Sequence, residues 1–258
     1  MSSSIYEDYY DKIKSLNIKH YAGEVSYYSK AELRPAEKAL LDKLPKGSKI
    51  LDVGCGSGRF SINAALHGFD VTGIDITPEA IDNCIRRASK DNINAKFKVH
   101  DITTGPPEGI FDYVFCPRFV INAISTDKHR RDAIESMYKA CKPGGSLFIE
   151  SFNIAYMGQG PLMPLKNISL SFWRRIKIRY SILANRQYRD LLPGDITYKA
   201  NKVESAEDGY AHLPTIFEIK SYLHKQKLYS IYEITNQKKL DILKPFRYSI
   251  WTIDEDIE

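Results

Sequence analysis

The 258-residue chain is 43% hydrophobic and 27% charged, so it can bury a full core and is neither disordered throughout nor two small independent domains. Its net charge of +5 is too slight to mark a nucleic-acid binder unless the charge is clustered. The four cysteines, Cys55, Cys84, Cys116 and Cys141, are widely spaced with no CxxC pair or histidine at ligand spacing, which points away from a zinc site or a disulfide framework.

The first residues have neither the basic start nor the apolar run of a signal peptide, and no apolar segment approaches the roughly 18 residues of a membrane helix. A cytoplasmic protein is expected. Ile5, Tyr9, Ile13 and Leu16 predict an amphipathic helix over 4–18. A polar, Tyr-rich stretch including Tyr27 and Tyr28 follows. A second helix is expected over 31–44, stopped by Pro45-Lys46-Gly47.

The next segments alternate. Strands are predicted at 49–53, 71–75, 95–101, 111–116 and 146–150. Helices are predicted from about 57 to 66, from Thr77-Pro78-Glu79 onward, and from 126 to 141, the last ended by Lys142-Pro143-Gly144-Gly145. Such alternation implies a parallel sheet with right-handed crossovers. The rhythm lapses over 153–213, read as an inserted substrate cap. It returns with a helix at 214–226 and strands near 229–235 and 247–253. The expected fold is an α/β three-layer sandwich with a mostly parallel seven-stranded sheet whose last strand is antiparallel. In domain terms this is a core over 31–152 completed by 214–258.

Parallel sheets bind ligands beyond the carboxyl ends of their strands. Asp52, the glycine loop Gly54-Cys55-Gly56-Ser57-Gly58, Asp75, Asp101 and Cys116 all fall at such ends and should converge on one crevice. The loop permits close backbone approach to a ligand, and a carboxylate at Asp75 can accept both hydroxyls of a ribose. A dinucleotide fingerprint would need glycine where Arg59 stands, and Asp52 would repel a pyrophosphate but suits a cationic ligand.

The run Ile50-Leu51-Asp52-Val53-Gly54-Cys55-Gly56-Ser57-Gly58-Arg59-Phe60, with Val71 to Asp75, His100-Asp101, Phe111-Asp112 and Cys141-Lys142-Pro143-Gly144-Gly145, resembles the class I S-adenosylmethionine-dependent methyltransferases. The resemblance spans about residues 30–152 and weakly 212–253. It implies S-adenosylmethionine as cofactor and S-adenosylhomocysteine as product. By the same resemblance, Asp52 with Gly54, Cys55, Gly56 and Gly58 would hold the methionine part, and residues 1–30 would form an N-terminal helical lid that brings a tyrosine, Tyr28 or its neighbour Tyr27, to the cofactor carboxylate. Asp75 would hold the ribose, with Ile76 against adenine. Asp101 would take the adenine amino group, with Ile102 beside it. Cys116 and Arg118 would border the methyl group and substrate. Helix capping or a turn is the alternative role for Asp75 and Asp101, and Asp112 is expected to be structural. Base and amide N-methylation usually carries an Asn/Asp-Pro-Pro-Tyr/Phe motif where this chain has Cys116-Pro117-Arg118-Phe119. Metal-dependent relatives place an aspartate where Cys116 stands, so no metal is expected.

Residues 166–190 carry seven Lys and Arg, among them Arg174 and Arg175, around Trp173 and other apolar residues, against the single Asp190. A basic-faced helix capping the site is one reading; an acidic substrate or anionic lipid is another. Phe119, Trp173 and Tyr210 are candidate substrate contacts. His212 is a candidate general base or substrate orienter, with a purely structural histidine as the alternative. The expected reaction moves a methyl group to oxygen or nitrogen of a small molecule, such as a natural product or acidic metabolite. Methylation of lipid, quinone or RNA, or cofactor binding without catalysis, are the alternatives. Nucleic acid is not an expected partner, while membrane contact and oligomeric state stay open.

Overall fold

The computed structural model describes residues 3–29, 32–151, 195–198, 209–212, 214, 218, 221–222, 228–231 and 250–253. Strands β1 (Lys49–Val53), β2 (Asp70–Asp75), β3 (Ala95–Val99), β4 (Phe111–Cys116) and β5 (Cys141–Ile149) form one sheet in the order β3-β2-β1-β4-β5. Every pairing in it is parallel. Helices α3 (Arg59–Leu66), α4 (Pro78–Lys90) and α6 (Asp127–Ala140) supply crossovers. The central strands are near-continuous apolar runs because both faces are covered. Leu51, Val53, Val114 and Leu147 pack with Ala133, Ile134 and Met137 of α6 on one side. Ile50, Val71, Phe115 and Phe148 pack with Phe60 and Ala64 of α3 on the other.

The described ladder has five strands, not seven. The two later strands, β8 (Leu228–Ile231) and β9 (Ile250–Ile253), pair antiparallel with each other, and β9 lies against β5 without joining its hydrogen-bonded ladder. Within 153–213 an antiparallel hairpin, β6 (Asp195–Tyr198) with β7 (Gly209–His212), is described. The basic stretch 166–190 lies outside the described residues, and of the expected helix at 214–226 only Pro214, which is not helical, and residues 218, 221 and 222, which are, are described.

The N-terminal helix does not end at 18. Helix α1 runs Ser3–Tyr28, and its buried stripe is Tyr10, Ile13, Asn17, His20 and Glu24, while Ile5 is exposed. Polar residues are tolerated on that stripe because partners meet them: Asn17 Nδ2 donates to the Ala123 carbonyl (2.8 Å), and His20 pairs with Glu24 one turn on. Near the C-terminal end of α1, the Val25 carbonyl accepts from Ser57 Oγ in the glycine loop (2.9 Å).

Helix α2 (Pro35–Leu41) is shorter than the expected 31–44 because Pro35 holds Arg34 in extended backbone (ψ 152°). Arg34 becomes the cap, and its N–H donates to Glu37 (2.8 Å). The Lys142-Pro-Gly-Gly145 turn does not separate helix from strand. Cys141 already pairs with Phe111, and the turn is absorbed as an irregularity in the β4–β5 register, with Gly144 at φ +69°. Strand β3 stops at Val99, two residues early. Asp101 instead caps a single 3-10 turn, Ile102–Thr104.

Candidate functional site

The order of strands reverses between β2-β1 and β4-β5, so the crevice of this sheet lies beyond the carboxyl ends of β1 and β4. A cavity of about 690 Å³ occupies that place. Asp52, Gly54, Cys55, Gly56, Asp75, Ile76, Asp101, Ile102, Arg118, Phe119 and Tyr210 all line it.

The loop after β1 is stapled to β2, where the N–H groups of Gly54 and Cys55 both donate to the Ile74 carbonyl (2.8 and 2.9 Å). Gly54 has φ +69°, and a Cβ there would collide with both methyls of Val120. Helix α5 (Val120–Ala123) can approach the loop only because the side chain is missing. We expect Gly54→Ala to cost roughly 3 kcal/mol through overpacking and left-handed strain. Adding Val120→Ala should return part of that loss in a thermal melt, whereas equal melting of the single and double variants would place the strain elsewhere. Gly58 serves a different purpose. At φ +78° it starts α3, its missing Cβ leaves room for Cys84 Sγ, and it is not on the cavity wall.

Asp52 is fully buried. Ser61 Oγ donates to its Oδ2 at 2.5 Å, and Oδ1 has no hydrogen-bond partner among the described residues. Burial pushes this carboxyl up to about 7, opposed by Ser61 and by the charge of Arg59. Asp75 accepts one backbone N–H on each oxygen, Gly56 on Oδ2 and Thr77 on Oδ1, both at 2.8 Å. Each oxygen keeps a second lone pair. Burial raises the pKa of Asp75 as well.

Asp101 is different. Its Oδ1 accepts from the Thr103 N–H and Oγ1, and its Oδ2 from the Tyr10 hydroxyl (2.8 Å) and the Lys14 ammonium (2.6 Å). Burial alone would raise its pKa, but Lys14 and Thr103 hold it below the ordinary carboxylate range. With four donors in place its acceptor capacity is used. In this structure Asp101 anchors α1.

Besides Gly58, two predicted residues lie off the cavity wall. The Cys116 thiol sits in the core, and burial raises its pKa. His212 is 2% exposed, with Nδ1 2.7 Å from Asp195 and Nε2 3.2 Å from Glu218. Trp173 and the side chain of Tyr28 lie outside the described residues. Arg118 and Phe119 both have positive φ (57° and 62°), and the Arg118 N–H donates to Glu150 at the end of β5 (2.7 Å).

Sequence reasoning passed over the wall supplied by α1: Tyr10, Lys14, Asn17 and Tyr21. Their spacing of four, three and four is one helical stripe, a signal hidden because it is polar. It also passed over the pair behind the loop. Arg59, the residue that broke the dinucleotide pattern, reaches both oxygens of Glu37 at 2.6 Å. Asp112, expected to be structural, accepts from the Lys49 N–H (2.7 Å) and pairs with Lys142, at the far ends of β1 and β5.

A parallel sheet with its crevice at the strand-order switch, a glycine loop after β1 and an acidic residue ending β2 define a Rossmann-like nucleoside-binding protein. Its residues 44–236 match the family described as Methyltransferase domain, and the chain belongs to that family. It is 33% identical over 144 residues to the 2-methyl-6-phytyl-1,4-hydroquinone methyltransferase of Synechocystis sp., covering 54% of this chain and 40% of that protein. It is 34% identical over 113 residues to the ubiquinone biosynthesis O-methyltransferase of Coxiella burnetii, covering 42% and 45%. The chain thus spans less than half the length of these relatives. Among solved structures, it shares the fold of the CcbJ methyltransferase of Streptomyces caelestis (TM-score 0.63, 12% identity, 91% and 97% of the two chains). A SAM-dependent methyltransferase from Methanosarcina mazei is also similar (TM-score 0.58, 22% identity, 86% and 97%). No helix among the described residues is long and apolar enough to cross a membrane.

Proposed function

We propose that the chain is an S-adenosylmethionine-dependent methyltransferase acting on an oxygen or nitrogen of a small molecule. The observation that carries this is the pair of carboxylates bracketing the glycine loop. Asp52 presents a buried, unpartnered Oδ1, suited to an ammonium group. Asp75 is fixed by one bond per oxygen and keeps the acceptors that two ribose hydroxyls would use. A diphosphate would meet repulsion from an ionised Asp52.

When bound, S-adenosylmethionine supplies a methyl group already activated by its sulfonium, so the protein's task is mainly to position reactants and exclude water. Asp52 and the loop would hold the amino-acid end, Asp75 the ribose, and Ile76 and Ile102 the adenine faces. Arg118, Phe119 and Tyr210 would border the acceptor, joined by Trp173 if the segment 153–213 caps the site. An adenine amino group would have to compete with Tyr10 and Lys14 for Asp101, so α1 acts as a lid whose latch is Asp101. The β8–β9 pair beside β5 supports completion of the sheet to seven strands with an antiparallel member.

The names of the two relatives, both concerned with quinones, favour a hydroxylated ring as acceptor. Incubation with S-adenosylmethionine carrying a deuterated methyl and a panel of hydroquinones, phenols and amines should yield a labelled product by mass spectrometry. A chain that binds the cofactor yet labels nothing in the panel would be a binding protein instead.

A further inference from the structure

Pro117, Arg118, Phe119 and Val120 follow β4 directly, and all four line the cavity. Arg118 and Phe119 are consecutive residues at positive φ, 57° and 62°. Glycine enters that region without penalty and asparagine at small cost, but side chains of this size are strained there. Two such residues in succession persist only where their surroundings over-determine the backbone. The surroundings here are specific. The Arg118 N–H donates to Glu150 Oε2 at 2.7 Å. The Phe119 carbonyl accepts from the Asn122 N–H at 2.9 Å, and the Val120 methyls occupy the place that a Cβ on Gly54 would take. The turn thus meets the glycine loop through Val120 and Glu150 through Arg118.

Glu150 is a fixed support. It follows β5 immediately, and its N–H donates to the Cys116 carbonyl (3.0 Å), which carries the pairing of β4 and β5 one step further. Its carboxylate is buried, and Arg34 grips both oxygens, Nη1 on Oε1 at 2.8 Å and Nη2 on Oε2 at 2.5 Å. Such a two-point pair fixes the carboxylate in orientation as well as in charge. Arg34 accounts for the charge of Glu150. It does not account for an arginine and a phenylalanine in a left-handed turn at the cavity wall, where glycine would serve the fold at lower cost.

We propose that Glu150 is a positioning residue for the methyl acceptor: through the Arg118 N–H it holds the strained turn that presents Arg118 and Phe119 to the acceptor. This rests on the methyltransferase reading and assigns acceptor specificity within that site to the turn after β4. A cation and an aromatic face at adjacent positions suit a hydroxylated ring. The turn has two arrangements, one held left-handed by Glu150 and one relaxed to negative φ. In the first, the wall that receives the acceptor stands beside the loop that holds the cofactor. In the second, the acceptor has lost its wall while Asp52 and Asp75 keep their places.

The test uses the full chain with S-adenosylmethionine carrying a deuterated methyl and with methylhydroquinone, catechol, 4-hydroxybenzoate and aniline as acceptors. Glu150→Ala should raise the KM of the acceptor that the parent labels roughly tenfold, the worth of one charge-assisted hydrogen bond, and change kcat less. Glu150→Gln keeps an oxygen for the Arg118 N–H and should recover part of that loss. The cofactor Kd from calorimetry should stay within about threefold of the parent in both, since additive sites do not share the turn. Arg118→Gly fits the left-handed backbone, so it should melt no lower than the parent and yet raise the acceptor KM. A turn kept only for packing would do the reverse, losing stability and sparing the acceptor. With Arg118→Gly in place, adding Glu150→Ala should raise KM by less than about threefold, because the two changes remove one interaction. Glu150→Gln and Arg118→Gly carry the test if Glu150→Ala does not fold. An unchanged acceptor KM in these variants, a cofactor Kd weakened as much as the acceptor KM, or Arg118→Gly melting below the parent overturns the proposal and leaves the methyltransferase reading standing. A parent that labels none of the four acceptors overturns both.

Discussion

Glu37→Ala is expected to lower stability by roughly 3–5 kcal/mol, the usual cost of removing one partner from a buried ion pair. Glu37 is 7% exposed and accepts from Arg59 through both oxygens and from Arg34. Among the described residues, Arg59, 6% exposed, would keep only the Glu32 carbonyl (3.1 Å). For a chain of this size the melting temperature should fall by about 10 °C. Burial alone would raise the Glu37 pKa, but Arg59 and Arg34 hold it down at about 2. Its folded value is therefore depressed. The stabilisation is complete above the ordinary carboxylate range and is lost as pH falls through it toward 2. The parent should lose its advantage over Glu37→Ala between about pH 5 and 2. The pair Glu37→Leu with Arg59→Met, which leaves no charge stranded on that side, should recover most of the loss. Equal melting of parent and Glu37→Ala at pH 7 would show that the network contributes nothing. The same network reaches the site, because Arg34 also grips Glu150, which accepts from the Arg118 N–H.

Asp52 should make cofactor binding depend on pH as well. Burial raises this carboxyl to about 7, so below that pH the free chain carries it neutral, and its contribution to stability is lost as pH rises through about 7. An ammonium group at Oδ1 favours the ionised form, so binding below pH 7 must expel a proton. Affinity for S-adenosylmethionine should rise about tenfold per pH unit up to roughly 7. It should fall again once the ligand's own amino group, near 8, deprotonates. Asp52→Asn should remove the acid limb and weaken binding roughly 10- to 100-fold, the worth of one charge-assisted hydrogen bond. An acid limb that survives in Asp52→Asn would assign the proton to another group.

The sheet and glycine loop were legible because their signals are local. Lys49–Val53 is a short apolar run, and glycines mark the turn that follows. Asp52 and Asp75 could be placed because a carboxylate that ends a parallel strand has one crevice to face. Elements whose buried residues are polar were not legible. Helix α1 continues through His20 and Glu24 because distant partners and one-turn pairs satisfy its polar stripe, which no periodicity of apolar residues reveals. The Asp101 oxygens are met by Tyr10 and Lys14, some 90 residues earlier, a pairing that no local signal gives. The Asp195–His212 pair joins two short strands across a segment without rhythm, so His212 could be noticed but its partner could not. Arg59 could be read as an absent glycine, though not as the other half of Glu37.

Isothermal calorimetry of the purified chain with S-adenosylmethionine, S-adenosylhomocysteine and NAD, at pH 6 and 7.5, tests the assignment of the crevice most directly. One equivalent of each adenosyl ligand should bind, more weakly at pH 6 and with a proton released to buffer, while NAD gives no heat. Silence from both adenosyl ligands, or binding of NAD in their place, would contradict a site built for a nucleoside with a cationic tail.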